Sequence, residues 1–190
     1  MTIKKTMYVK ENSFRKLDDP FNTRARKYVF YVKVSDVPEG IPMATNPRDQ
    51  RLTSGVAQAI KNSLESNDGY FHLKNRGIVL SAKSCTYNNK SQEVTIHFTD
   101  NALHGNIDGG HTYKIVCEHK DAGLDQYVQF EVMTGVEDII EQLAEARNTS
   151  VQVDEKSMAE LRQKFDPIKE GLEGMPFFSR IAFKQNQQSF

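Results

Sequence analysis

The sequence predicts an α+β fold in which a mixed, partly antiparallel sheet is flanked by helices. Segments rich in β-branched and aromatic residues alternate along the chain with segments whose apolar residues recur at helical spacing. One pair of strand-like segments is joined by a short polar loop, as in an antiparallel hairpin. Together these observations indicate an α+β arrangement, and 190 residues suit one main domain.

The first half of the chain provides a strand and a helix. Residues 27–34 (KYVFYVKV) are β-branched and aromatic and lead into a loop with prolines and a glycine, so they predict a strand. Val56, Ile60 and Leu64 recur at helical spacing, and residues 53–54 (Thr-Ser) offer a cap. The pattern predicts a short amphipathic helix.

The central part is predicted to form a hairpin and then a strand that turns into a helix. Residues 77–87 and 93–99 flank the polar loop NNKSQ and predict an antiparallel pair. Residues 108–110 (Asp-Gly-Gly) end a short apolar run, and the apolar spacing after them favours a helix from about His111. Residues 127–135 (YVQFEVMTG) predict a further strand.

Two helices are predicted towards the carboxyl end. In residues 136–148 (VEDIIEQLAEARN) four apolar side chains lie on one face, and two acidic residues occupy the first turn, where they suit the helix dipole. Residues 154–170 predict another helix, which Pro167 breaks or kinks. The tail after them is polar and shows no terminal element, so we expect that the natural chain continues beyond Phe190 or is a compact version of a larger protein's head.

Composition and charge restrict the partners and the location that can be expected for the protein. The formal net charge is zero, so a nucleic acid or an anionic membrane would have to be met by a local patch. No apolar run long enough for a membrane span and no secretory signal are visible, which predicts a cytoplasmic location and no membrane partner. Cys85 and Cys117 fall in apolar stretches and are expected to be reduced and packed rather than bridged.

The segment from Asp108 to Thr112 is the main candidate site. A strand that ends in glycines and feeds a helix presents free backbone N–H groups, and glycine lets an anion approach them closely. Gly109 and Gly110 would form this cradle, and His111 and Thr112 would add donors, while Asp108 would orient a ribose hydroxyl, a cation or a backbone amide. The alternative is a sharp structural turn in which Asp108 bonds its own loop. The residues alone leave both interpretations open.

Three further clusters are weaker signals. Asn75 and Arg76, just before Gly77, suit phosphate or carboxylate recognition, although a turn with solvated basic residues explains them more simply. Arg48 lies in a proline-bearing loop that is otherwise typical of an ordinary surface. Asn148 ends a predicted helix, where cap chemistry is the simpler interpretation.

Several classes of site are disfavoured by motifs that the sequence lacks. The five histidines show no metal-ligand spacing with carboxylates or cysteines, so no structural zinc site is predicted. No glycine-lysine phosphate loop and no nucleophile elbow occur. The common ATPase and serine hydrolase classes therefore lose their main support.

Taken in order, the motifs resemble those of the AIPR family, named for abortive infection and phage resistance. The resemblance covers about residues 41–161 and rests on an NPR loop, a helix, NRGI opening a strand, a hairpin, IDGGHT at a strand-to-helix turn, and a helix ending in RNTSVQV. The family signature usually has asparagine or aspartate, two glycines or glycine and cysteine, then Gln-Thr. Asp108–Thr112 and Asn148 occupy those places. The signature is also similar to the DGQHR motif of DNA-modification and defence regulators and, more distantly, to the glycine-rich turn of ParB and sulfiredoxin domains.

The resemblance implies a domain division and a site. It implies an N-terminal strand region over residues 1–40, an AIPR core with a ParB-like fold over 41–161, and a helix end with a tail over 162–190. Asp108 to Thr112 would line a nucleotide-phosphate pocket, with Asn75 and Arg76 across it and Asn148 closing one side. Related turns carry an arginine at or after the position of His111, so the positive charge would have to come from Arg76, Arg48 or Lys114. Asp108 and His111 would act as catalytic groups only if they converge.

The function implied is that of a bacterial or phage-borne defence protein that binds a nucleotide or nucleic acid at the glycine turn. One alternative is a nuclease that uses a divalent ion such as Mg²⁺ through Asp108 and a second carboxylate. Another is a non-catalytic interaction module, which would have a cleft without positive potential. Each of these is compatible with a homo-oligomer.

Overall fold

A computed structural model describes residues 2–47, 51–149 and 164–182. The chain divides into two compact units, Met1–Thr149 and Ser150–Phe190. The strands of the first unit are β1 (Ile3–Tyr8), β2 (Phe14–Asp18), β3 (Arg26–Lys33), β4 (Ile78–Ala82), β5 (Ser84–Asn88), β6 (Glu93–Phe98), β7 (Gly105–Asp108) and β8 (Tyr127–Thr134). Its helices are α1 (Gly55–Glu65), α2 (Phe71–Lys74), α3 (Gly110–His119) and α4 (Ile140–Asn148). The second unit contains α5 (Asp166–Leu172).

The strands of the first unit form two sheets. The order of the larger sheet is β2-β3-β8-β4-β7, and β4 runs parallel to β8 while the other neighbours are antiparallel. The smaller sheet, β1-β6-β5, is entirely antiparallel. The predicted α+β fold with a partly antiparallel sheet is thereby confirmed.

One large hydrophobic core unites both sheets with α1, α2 and α3. Burial alternates along β8, where Val128, Phe130 and Val132 are fully buried and the residues between them are not. The ring of Phe130 stacks on that of Phe30 from β3, with 5.7 Å between their centroids. The opposite face of the larger sheet carries a smaller cluster, in which α4 packs on β4, β7 and β8.

Most of the predicted elements are confirmed. The strand over 27–34 is β3, and the strand over 127–135 is β8. The amphipathic helix is α1, whose cap is Ser54: its Oγ accepts a hydrogen bond from the backbone N–H of Ala57 at 3.2 Å. The helix that follows the glycine turn is α3. Both cysteines are free, and burial raises the pKa of the Cys85 thiol to about 12.

The prediction of one strand over residues 77–87 is wrong. The segment is two strands, because the chain passes from the larger sheet to the smaller one at Lys83. Every residue of β4 is buried, since β4 is an inner strand with both faces covered, whereas β5 alternates. The predicted hairpin is formed by β5 and β6, and β4 instead pairs with β7 and β8.

The helix predicted over residues 136–148 begins later than expected. A 3₁₀ turn spans Glu137–Ile139, and only then does α4 begin. The tighter turn rotates Ile139 away from the apolar face, so this side chain is 43% exposed while Ile140 is buried.

Part of the last predicted helix, residues 154–163, lies outside the described residues. Beyond them α5 begins at Asp166 with Pro167 in its first turn, so the proline starts a helix there. The sequence patterns did not predict the strands β1 and β2 or the short helix α2. No helix among the described residues is long and apolar enough to cross a membrane.

Replacing a core side chain of β4 should test the importance of this inner strand. Leu80 is fully buried, so Leu80→Ala should lower the free energy of unfolding by about 2 to 5 kcal/mol in urea denaturation. Leu73→Ala is the matched control because Leu73 is 67% exposed, and its effect should stay within about 0.5 kcal/mol. Equal losses in the two variants would contradict the assigned core.

Candidate functional site

The candidate site is built on the turn between β7 and α3. At the end of β7 the chain bulges opposite Val79, and Gly109 then adopts the left-handed conformation with φ 75°. The Oδ1 atom of Asp108 accepts a hydrogen bond from the Gly109 N–H at 2.7 Å. This carboxylate therefore holds its own turn.

A second glycine turn lies directly against the first. Gly77, which precedes β4, also has a positive φ of 85°. A Cβ atom on Gly109 would lie 2.1 Å from the Gly77 carbonyl oxygen, and a Cβ on Gly77 would lie 2.5 Å from the carbonyl oxygen of Gln129. Three neighbouring backbones thus meet at contact distances that leave no room for a side chain at either glycine.

Asn75 connects the two turns through its side-chain amide. Its Nδ2 donates a hydrogen bond to Thr112 Oγ1 at 3.0 Å, and its Oδ1 accepts one from the Gly77 N–H at 2.8 Å. Thr112 is buried in the first turn of α3. Asn75 therefore ties the start of β4 to the start of α3.

The amino end of α3 follows directly after Gly109. No side chain among the described residues caps it, so the N–H groups of Gly110 and His111 lack the usual Ser, Thr or Asp acceptor. The His111 side chain is half-buried beside them, and Arg76 is exposed at the neighbouring turn. Both can donate hydrogen bonds to an anion.

Asn148 joins the carboxyl end of α4 to β7. Its Nδ2 donates hydrogen bonds to the carbonyl oxygens of Ile107 at 2.9 Å and Ala144 at 2.7 Å. The amide thus contacts β7 one residue before Asp108. Arg48, the remaining predicted residue, lies outside the described residues.

The structure therefore brings some of the predicted site residues into contact and not others. Asn75, Thr112 and the glycine turns form one contacting network, and Asn148 of α4 donates a hydrogen bond to the strand that leads into it. Within the described chain, no hydrogen bond joins Asp108 to His111. Their expected roles as acid and base stay a prediction.

Asn106 is a structural residue of the site that was not predicted from the sequence. It is fully buried, and its Nδ2 donates to the carbonyl oxygen of Asp108 at 2.9 Å. Its Oδ1 accepts from Asn46 Nδ2 at 2.6 Å, and its carbonyl oxygen accepts from Thr45 Oγ1 at 2.7 Å. The only signal in the sequence is an amide placed inside an apolar strand.

A second polar cluster surrounds His104, which is 3% exposed. The backbone N–H groups of Thr99 and Asp100 both point at its Nδ1 at 3.3 Å, so we assign the proton to Nε2, which donates to Glu137 Oε1 at 3.2 Å. Burial raises the pKa of Glu137, but its backbone N–H and His104 outweigh burial and hold the pKa below its usual value. The pair borders a pocket of about 500 Å³. Because His104 and Glu137 are 33 residues apart in the sequence, local sequence patterns do not predict this pair.

A larger cleft of about 740 Å³ runs along α4. Its described lining is Ala44, Thr45, Pro47, Asn101, Ala102, Ile140, Glu141, Ala144, Glu145, Asn148 and Thr149. Glu141 and Glu145 are its only charged residues among these, and both are acidic. The described lining of the α4 cleft is therefore apolar and acidic. No group of three or more potential metal ligands occurs in the described parts of the chain.

The fold and the site together define an α+β protein with a glycine-rich turn between a strand and a helix. A family profile described as AIPR protein matches residues 43–190, which is most of the chain. The protein belongs to the AIPR family, and membership indicates a role in abortive infection and phage defence. Comparison with curated proteins and with solved structures found no match, so the ParB and DGQHR relationships stay predictions.

The close glycine contact should make Gly109 far more sensitive to substitution than a glycine with open space around it. Gly109→Ala should lose about 3 kcal/mol or more of unfolding free energy, because the positive φ and the 2.1 Å approach to Gly77 both oppose a side chain. Gly123→Ala is the matched control: its φ is +70°, but no atom lies within 4 Å of the added carbon. It should lose only about 1 kcal/mol in urea denaturation. Similar losses would refute the contact.

The Glu137 carboxylate should make stability depend on pH. Because its pKa is lowered in the folded state, its contribution is present above its ordinary value of 4.5 and is lost as the pH falls through the folded-state pKa. In Glu137→Gln the amide oxygen still accepts from His104, but the group no longer titrates. Urea denaturation between about pH 6 and 3 should show a shallower loss of stability for the variant. Parallel curves would rule this contribution out.

Proposed function

We propose that the protein binds the phosphate of a nucleotide or nucleic acid at the turn between β7 and α3. The observation that supports this most is the pair of interlocked glycine turns beside the uncapped amino end of α3. The contact between the two glycines places the turn that carries Asn75 and Arg76 against the start of α3. The first N–H groups of α3 and the helix dipole then favour a negative charge.

Cationic side chains would supplement the backbone donors. Arg76 is exposed at the Gly77 turn and offers a planar, bidentate donor set. His111 and Lys114 lie half-buried on α3 and add further donors. The negative charge of the Asp108 carboxylate repels an anion. The hydrogen bond that this carboxylate accepts from the Gly109 N–H partly offsets the repulsion and orients the turn.

A metal-dependent nuclease has less support. Across the sheet, Asp108 pairs with Val79 and Val79 pairs with Glu131, so the next acidic residue in this row lies two strands away. Glu131 is also bound by Lys27 and Arg147. A carboxylate with two cationic partners is a poor ligand for Mg²⁺.

The interaction module is the second candidate function, and the α4 cleft favours it. The cleft combines apolar walls with Glu141 and Glu145, and its described lining holds no Lys or Arg. An apolar and acidic lining of this kind supports an interaction module. It is compatible with a phosphate site at the turn, because the two lie on different elements.

Thermal shift assays with nucleoside triphosphates, cyclic nucleotides and short DNA or RNA should test the proposed phosphate site. A ligand at about 100 times its dissociation constant should stabilise the fold by roughly 2.7 kcal/mol. Arg76→Ala and His111→Ala should each reduce the shift. Arg24→Ala is the matched control, since Arg24 is an exposed arginine on the loop between β2 and β3, and should leave the shift unchanged.

Two outcomes would refute the proposal. One is the lack of a shift with any of these ligands for a well-folded protein. The other is a shift that Arg76→Ala and His111→Ala leave as large as in the unchanged protein.

A further inference from the structure

We propose that a single-stranded nucleic acid lies across the larger sheet, from the glycine turn to Tyr31 and Tyr127. The inference rests on the proposed phosphate site and names its ligand class. The surface involved, here called the tyrosine face, consists of the side chains of Val29, Tyr31, Lys33, Tyr127 and Gln129.

Strand register aligns the tyrosine face with the glycine turn. Tyr31 pairs with Gln129, and the β4 partner of the next β8 residue, Phe130, is Ile78. Gly77 therefore lies beside Gln129, and a Cβ atom on Gly77 would accordingly come within 2.5 Å of the Gln129 carbonyl oxygen. Gly109 lies against Gly77 in turn. The row of residues from Tyr31 through Gln129 and Gly77 to Gly109 therefore crosses four neighbouring strands. At the usual strand spacing this is about 14 Å.

The side chains of this surface point away from the main core. Phe30, Val32, Val128 and Phe130 are buried, so the residues that alternate with them occupy the opposite face. α4 covers another part of that face, where Met133 packs against Ile140 and Ala144. The residues of the tyrosine face are only half-buried.

Two aromatic rings give the surface a stacking function. Tyr31 lies opposite Gln129 and Tyr127 lies opposite Lys33, which makes the two tyrosines diagonal neighbours on adjacent strands. The Tyr31 ring meets His72 edge to face, with 4.9 Å between centroids, and this contact restricts its orientation. Unpaired bases stack on such rings in a sequence-tolerant way, and Gln129 beside Tyr31 offers an amide to a base edge.

The charges around the tyrosines complement a phosphate backbone. Lys33 belongs to the surface and is paired with Asp125 at 3.1 Å, and Arg15 and Lys27 lie on the same face of the sheet by register. Glu131 is the acidic residue of this face on β8, and it is neutralised by Lys27 and Arg147. Basic side chains interleaved with aromatic rings are typical of single-strand binding surfaces.

A single strand fits these features better than a duplex or a mononucleotide. A duplex keeps its bases stacked internally, so the tyrosines would find no free base face. A mononucleotide reaches the turn but leaves unused the two aromatic rings on the strands beyond β4. The row therefore favours a ligand with several linked, unpaired nucleotides.

Fluorescence anisotropy with labelled oligothymidine and oligouridine of about 12 nucleotides tests the inference, with the matching duplex and thymidine monophosphate as competitors. Tyr31→Ala and Tyr127→Ala should each weaken oligonucleotide binding by about tenfold, and Tyr31→Phe and Tyr127→Phe should retain it because the ring remains. Tyr8→Ala is the matched control, since Tyr8 is 46% exposed on the smaller sheet. Circular dichroism of each variant establishes that it is folded.

The outcomes separate the two proposals. Oligonucleotide binding that Arg76→Ala weakens but both tyrosine-to-alanine variants leave unchanged would overturn the tyrosine face and retain the phosphate site. Duplex binding as tight as single-strand binding would also overturn it. Failure of every nucleotide and oligonucleotide to bind would overturn the phosphate site and the inference with it.

Discussion

The close approach of Gly77 and Gly109 is the constraint on which the site depends. The two turns lie so near that a single Cβ atom on Gly109 would overlap the Gly77 carbonyl oxygen. Because this contact joins the start of β4 to the end of β7, it fixes where α3 begins relative to the sheet. A contact between backbones thereby holds the uncapped amino end of α3 beside the Gly77 turn.

Side-chain amides support that contact from both sides. Asn75 bonds the Gly77 N–H and Thr112, and Asn106 bonds the Asp108 carbonyl oxygen from within β7. Asn148 then attaches α4 to the same strand. Each amide satisfies backbone groups that the turn and the bulge leave without sheet partners, and burying such groups unpaired would be costly. The polar residues of the motif therefore have a structural role whether or not a ligand binds.

Local patterns in the sequence were enough for much of the fold. The spacing of Val56, Ile60 and Leu64 with a preceding serine identified α1, and the glycines at 109 and 110 marked the start of α3. Periodicity could not show that the chain changes sheets at Lys83, because a strand buried on both faces and its neighbour make one continuous run. Contacts between distant residues, such as His104 with Glu137 or Asn46 with Asn106, leave no trace in local spacing.

A formal net charge of zero conceals an uneven distribution around α4. On one side of the helix, Glu141 and Glu145 border an apolar cleft whose described lining has no cation. On the sheet beneath, Lys27 and Arg147 share the carboxylate of Glu131, Lys33 is paired with Asp125, and Arg15 adds a further positive charge. The described lining of the cleft therefore carries negative charge, whereas the described charges on this part of the sheet are net positive. The glycine turn lies at the end of the sheet row rather than in the cleft, which is why a phosphate site there and an apolar, cation-preferring partner on α4 would not compete.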